Sequence, residues 1–175
     1  TVTCVQNGFQ DGGSSIISQN LGAGNTKRAI GTFWRLLVIN SIIGAVGLVL
    51  INVFLEPISW LFANSAEGYN REFQELIMHV FRYESMGGCI PLGINSACMA
   101  LLFGFGKTKL TLVSNFSRVF VFRIPILWAL QNLTDIGSES VGIVMAASNT
   151  LTAMLSFTIA MIVLRQVKKE SREKK

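Results

Sequence analysis

Five apolar stretches, joined by short polar connectors whose charge changes sign at each step, constrain this chain more than any other feature. The connectors read basic, acidic, basic, acidic, basic. Lys27 and Arg28 make the first, with Arg35 slightly inside the next apolar run. Glu67, Glu72 and Glu75 against Arg71 make the second, Lys107 and Lys109 the third, and Asp135 and Glu139 the fourth. The tail holds Arg165, Lys168, Lys169, Arg172, Lys174 and Lys175. A chain that crosses a bilayer at every apolar run must put alternate connectors on opposite sides, and Lys and Arg accumulate on the cytoplasmic side. The two patterns agree at all five places. The sequence therefore predicts an all-α, multi-pass membrane protein, with Thr1 outside and Lys175 in the cytoplasm.

Composition supports the same class. Half of the residues are hydrophobic and 14% are charged, whereas a soluble domain carries about a quarter charged residues. A spanning helix needs roughly 20 mostly apolar residues. Residues 36–55 and 141–164 supply that cleanly, 85–105 and 110–130 do so with a few polar interruptions, and 2–21 is weaker because of Asp11 and several amides and hydroxyls. The expected organisation is one helical bundle over residues 1–165, with spans at 2–21, 32–55, 76–105, 108–130 and 139–164, then a basic cytoplasmic tail over 166–175. Trp34, Trp60 and Trp128 fall at the span edges, as in the aromatic belts of membrane proteins. Glu56-Pro57 is expected to end the second span, 58–74 to form an external loop, Gly104, Gly106 and Lys107 a tight turn, and Ser138-Glu139-Ser140 a cap for the fifth span.

The lipid bilayer is the expected partner, and nucleic acid is not. Eleven of the fifteen basic residues lie in the connectors, flanks and tail where topology already accounts for them. Cys4, Cys89 and Cys98 lie inside apolar runs, show no zinc-ligand spacing and are odd in number, so they read as packing residues. The first span has no basic leader, so it is not a signal peptide. The chain begins without Met, and a piece of a longer protein is expected.

Polar residues inside the spans fall on helical faces. Asn7, Asp11, Ser14 and Ser18 are spaced 4, 3 and 4; Asn115, Arg118, Phe122 and Pro125 are spaced 3, 4 and 3; Asn149, Thr152 and Ser156 are spaced 3 and 4. Lipid tails cannot satisfy such groups, so the stripes should face the interior or a wet cavity. They suit a solute pathway or, alternatively, ordinary interhelical hydrogen bonding at about 0.6 kcal/mol per contact. Gly8 and Gly12, and Gly44 and Gly47, suit close helix approach.

Asp11 lies near mid-membrane, where a charge costs at least about 2.5–3.5 kcal/mol unless paired, hydrated or protonated. It could couple transport to a proton or cation, or pair structurally with a basic residue. Arg118 with Asp11, or Arg123 with Glu84, are the candidate pairs. No catalytic set is visible: His79 is the only histidine and reads as interfacial. The run Gly22-Ala23-Gly24-Asn25 lacks the preceding strand and the GK[ST] of a nucleotide loop and reads as a tight cytoplasmic turn. No cofactor is expected beyond a proton or sodium gradient.

Three segments together resemble the multidrug and toxic compound extrusion (MATE) family. They are Ile17-Ser18-Gln19-Asn20-Leu21-Gly22-Ala23-Gly24-Asn25 with Lys27-Arg28-Ala29; Pro91-Leu92-Gly93 through Gly104-Phe105-Gly106-Lys107-Thr108; and Arg118 through Phe122-Arg123-Ile124-Pro125. Their order and spacing are similar to the family's eighth to twelfth helices. The resemblance implies a proton- or sodium-driven antiporter exporting amphipathic, cationic drugs, built from two six-helix bundles around an alternating cavity. This chain would form most of the second bundle, and the missing first lobe would be its partner. Some members carry an acidic cation ligand in the middle of the tenth helix. That position falls near Gly93 here, so no sodium site is expected there. The rival expectations are a lipid-linked oligosaccharide or polysaccharide flippase of the same superfamily and a non-transporting, truncated membrane protein.

Overall fold

The computed structural model describes residues 2–65, 68–133 and 140–173. Expectations resting on Glu67, Asp135, Ser138, Glu139, Lys174 and Lys175 lie outside the described residues. The elements are α1 (Val2–Gly22), α2 (Thr26–Ala63), a short hairpin of β1 (Asn64–Ser65) and β2 (Gly68–Tyr69), α3 (Arg71–Gly104), α4 (Thr108–Phe116), a π segment (Ser117–Arg123), α5 (Ile124–Leu133) and α6 (Ser140–Glu173). Among the described residues, four stretches are long and apolar enough to cross a membrane: Thr26–Ala63, Arg71–Gly104, Thr108–Asn132 and Ser140–Lys169. Helix α1 is long enough but less apolar, as Asp11 and its amides dictate.

Sterics along the helices fix their arrangement. α1 lies antiparallel to α2, with Gly47 against Val2 and Gly13 against Leu36. It runs parallel to α3, with Gly104 against Ile17 and Ser18 Oγ donating to Gly104 O at 3.3 Å. α3 and α6 are also parallel, with Val80 O against Gly142 and Gly87 against Ala146. α3 is therefore the central helix, and its second half from Gly93 to Leu102 is almost wholly buried. One core cluster joins Ile17, Phe33, Leu101 and Leu164 from all four long helices. Because α1, α3 and α6 run in the same direction, the two basic connectors and Arg165, Lys168 and Lys169 gather at one end of the bundle.

The two turns at that end share a mechanism. Gly24 (φ 74°) and Gly106 (φ 67°) adopt left-handed backbone. Asn25 N then donates to Asn20 O, and Lys107 N to Leu102 O, each at 2.8 Å, closing α1 and α3 by the glycine C-terminal motif. At the other end, Asn70 Oδ1 accepts from Phe73 N at 3.1 Å and starts α3.

The second span does not end at Glu56-Pro57, and neither 58–63 nor 71–74 is loop, since α3 already begins at Arg71. α2 runs on through Pro57 to Ala63. Ser59 and Ala63 remain buried beyond the proline, and Gln74 Nε2 donates to Ser59 Oγ at 3.2 Å, tying α3 to this last stretch of α2. Tertiary contact thus outweighs the single backbone hydrogen bond that a proline removes. On the opposite side of α2, Ile42, Val46, Val49 and Val53 form an exposed apolar stripe, the surface that lipid tails require.

Candidate functional site

Two clusters of buried polar groups lie where α1, α2 and α3 meet and where α3, α4 and α6 meet. At the first junction Gln6 is 1% exposed. Its Nε2 donates to Cys89 O at 2.8 Å and to Asn40 O at 3.4 Å. Ser96 Oγ donates to Gln6 O at 2.8 Å. Gly93 makes this junction possible: a Cβ there would sit 2.7 Å from both Gln6 Nε2 and Asn40 O. The position near which an acidic ligand could have stood is thus occupied by the tip of an amide. Gln6 Oε1 and both amide atoms of Asn40 are buried without a partner among the described residues.

At the second junction Ser114 Oγ donates to Ser156 Oγ at 2.6 Å, and Ser156 Oγ donates in turn to Asn95 Oδ1 at 2.7 Å. Ser148, Asn149 and Thr152 continue this buried stripe along α6. Thr152 Oγ1 donates to Ser148 O at 2.7 Å, satisfying itself within its own helix.

The residues singled out from sequence fall in different surroundings. Asn149 is buried on the α6 stripe. Asn7, Asp11 and Asn115 are exposed on the outside of the described bundle. Ser14 is half-buried, and its Oγ donates to Asp11 O at 2.9 Å. Gly22, Gly24 and Asn25 form the exposed turn after α1. The stripe Asn7, Asp11, Ser14 and Ser18 is real as a helical face, but α1 turns a neighbouring face inward, the one carrying Gln6, Gly13 and Ile17. Periodicity reports which residues share a face and leaves the buried face unspecified. Gln6 and Asn40 went unnoticed for that reason.

Neither candidate ion pair forms. α1 packs on α2 and α3, whereas the π segment packs on α4, α5 and α6, so Asp11 and Arg118 lie on different parts of the bundle. Glu84 lines a small cavity between α1, α2 and α3 rather than meeting Arg123. An ion pair does form between Arg71 and Glu75, at 3.0 Å on the exposed start of α3.

Arg118 and Arg123 are half-buried, and the Nε of each has no partner among the described residues. The π segment places them together. Its hydrogen bonding skips five residues, as in Ile124 N to Val119 O, so residues five apart come round to one side. The widened turn also stacks Phe116 on Phe120 at 4.3 Å and precedes Pro125, which has no N–H to donate.

These features define a multi-pass helical membrane bundle with buried amides and hydroxyls at its helix junctions and no side-chain group of three or more His, Cys, Asp or Glu among the described residues. The chain belongs to the MatE family, whose model matches residues 1–129. It is therefore a chain of a membrane-transporter family and not an enzyme. A solved structure described as the inward-facing conformation of a multidrug resistance MATE family transporter of the MOP superfamily is similar at a TM-score of 0.86 and 16% identity. The match covers 96% of this chain and 38% of that chain. At that identity the likeness concerns the fold. No curated protein matches this chain.

Proposed function

We propose that this chain is one lobe of a secondary active antiporter that exports drugs or organic cations in exchange for protons or sodium, in partnership with a second helical lobe. The observation that carries the reading is the fold itself. Nearly the whole chain follows the backbone of a multidrug resistance transporter while spanning 38% of its length. In this reading the gathered basic end is cytoplasmic, and the protein resides in the plasma membrane. Asn7 and Asp11, exposed on the described bundle, face the second lobe across the solute pathway. Asp11 is then the proton- or cation-coupling carboxylate, and Arg118, Asn115, Ser14 and Asn149 contribute to the walls.

A second reading, translocation of a lipid-linked oligosaccharide or polysaccharide, is favoured by Arg118 and Arg123. Two intramembrane guanidinium groups whose Nε atoms lack a partner among the described residues suit a phosphate better than a cationic drug. Reconstitution of the transporter containing this chain in liposomes separates the two. Ethidium movement driven by an imposed pH or sodium gradient, with its pH dependence abolished by Asp11→Asn, is expected. Gradient-independent transfer of a lipid-linked sugar without ethidium movement overturns the antiporter reading.

A further inference from the structure

Two grooves on the outside of the bundle run into one another between α1 and α2. The first, about 600 Å³, is walled by Val5, Phe9, Gly12 and Ile16 of α1 and by Leu36 and Ile39 of α2. The second, about 550 Å³, lies at the basic end and holds Asn20, Lys27 and Arg28. Ile16, Thr32 and Arg35 line both, so an apolar trough opens directly into a basic one. Asp11, the only acid on α1, lines neither. We propose that this continuous groove is a binding site for an anionic phospholipid, with one acyl chain in the trough and the phosphate against Lys27, Arg28 and Arg35.

Dimensions select the occupant. Val5 to Ile16 is eleven residues of helix, roughly 16 Å at 1.5 Å per residue, and one leaflet of a bilayer core about 30 Å thick is about 15 Å deep. Spread over that length, the trough of about 600 Å³ has a cross-section of about 40 Å². A helix 10–12 Å across needs about 80 Å² or more, so the trough matches the section of a chain of methylenes, whereas a helix would lie mostly outside it. The floor is open because Gly8 and Gly12 have no neighbouring atom within 4 Å of the place a Cβ would take. The head-group end also takes in the first turn of α2, whose positive dipole end adds to the charge of the basic side chains.

The test uses the whole chain purified in dodecyl maltoside. Phosphatidylglycerol, phosphatidylcholine with the same acyl chains, and glycerol phosphate are each titrated, with bound lipid read by native mass spectrometry. Phosphatidylglycerol is expected to bind more tightly than phosphatidylcholine. Arg35→Gln should narrow the difference about fivefold and Lys27→Gln/Arg28→Gln about twenty-five-fold, at about fivefold per charge near an anionic head group. Gly12→Leu starts from a Cβ with no neighbour within 4 Å and projects its side chain into the trough. It should abolish retention of both lipids without lowering the melting temperature of the lipid-free protein. Glycerol phosphate alone should not bind. Equal binding of the two lipids, phosphatidylglycerol binding that survives Gly12→Leu, or binding of glycerol phosphate as tight as the lipid each overturns the site. So does loss of the bound lipid when a second lobe is present.

Discussion

Gly93→Ala tests the helix approach that admits the Gln6 amide. Alanine is normally the better helix residue, by about 1 kcal/mol over glycine, so a free helix would gain stability from the change. Here the added Cβ meets Gln6 Nε2 and Asn40 O at 2.7 Å. The amide of Gln6 can rotate away, but only by giving up its 2.8 Å bond to Cys89 O, a loss of about 0.6 kcal/mol for a typical hydrogen bond between membrane helices. The carbonyl of Asn40 belongs to the α2 backbone and cannot rotate, so α2 and α3 must separate. Overpacking of this kind costs about 1–3 kcal/mol. The losses exceed the propensity gain, and a net destabilisation of about 1–2 kcal/mol is expected. Gly88→Ala is the internal control: it lies on the same helix, and its Cβ would meet only Leu92 Cδ1, at 4.0 Å. Unfolding by SDS in mixed micelles, followed by tryptophan fluorescence, measures both variants. If Gly93→Ala proves as stable as Gly88→Ala, or more stable than the parent, then α2 and α3 do not touch at this point and the reasoning fails.

Other expectations follow from single contacts. Ser156→Ala removes the hydroxyl that links Ser114 to Asn95 and should destabilise by about 1 kcal/mol, within the 1.7 kcal/mol ceiling for such bonds, by the same SDS titration. Asn70→Ala removes the acceptor for Phe73 N and should cost about 1 kcal/mol, with hydrogen exchange rising first at the start of α3. Arg71→Gln breaks an ion pair whose side chains are 81% and 54% exposed; a change in midpoint above about 0.5 kcal/mol would contradict a solvated i,i+4 pair. In detergent, maleimide should label Cys4, which is exposed, before Cys89 and Cys98, which are buried, with equal rates refuting the packing described for α3.

Much of the fold was legible because its signals are one-dimensional. The apolar runs and the sign of each connector prescribe where a chain can sit in lipid, and helix direction then follows from connectivity alone. The glycines at 24 and 106 were readable as turn residues because a left-handed backbone is intrinsic to glycine and local in effect. The candidate site was legible only in part. Asn149 lies on a buried stripe, yet Asn7 and Asp11 point away from the helices this chain supplies. Their neighbour Gln6 makes the interhelical contacts. A shift of one residue rotates a helix face by about 100°, and spacing carries no information about that absolute angle.

By itself, then, the sequence determined that the chain is helical, that it crosses a membrane repeatedly, and which connectors share an end, since these depend on how each segment partitions between lipid and water. Only the tertiary structure decided which face of α1 is buried, that α2 continues past Pro57, and that Gly93 admits the Gln6 amide. It also brought Arg118 and Arg123 to one side of a π turn with no acid beside their Nε atoms among the described residues. Each of these depends on atoms far apart in the chain meeting within a few ångströms, and van der Waals contact and hydrogen bonding at that range are set by the neighbouring helix rather than by local sequence.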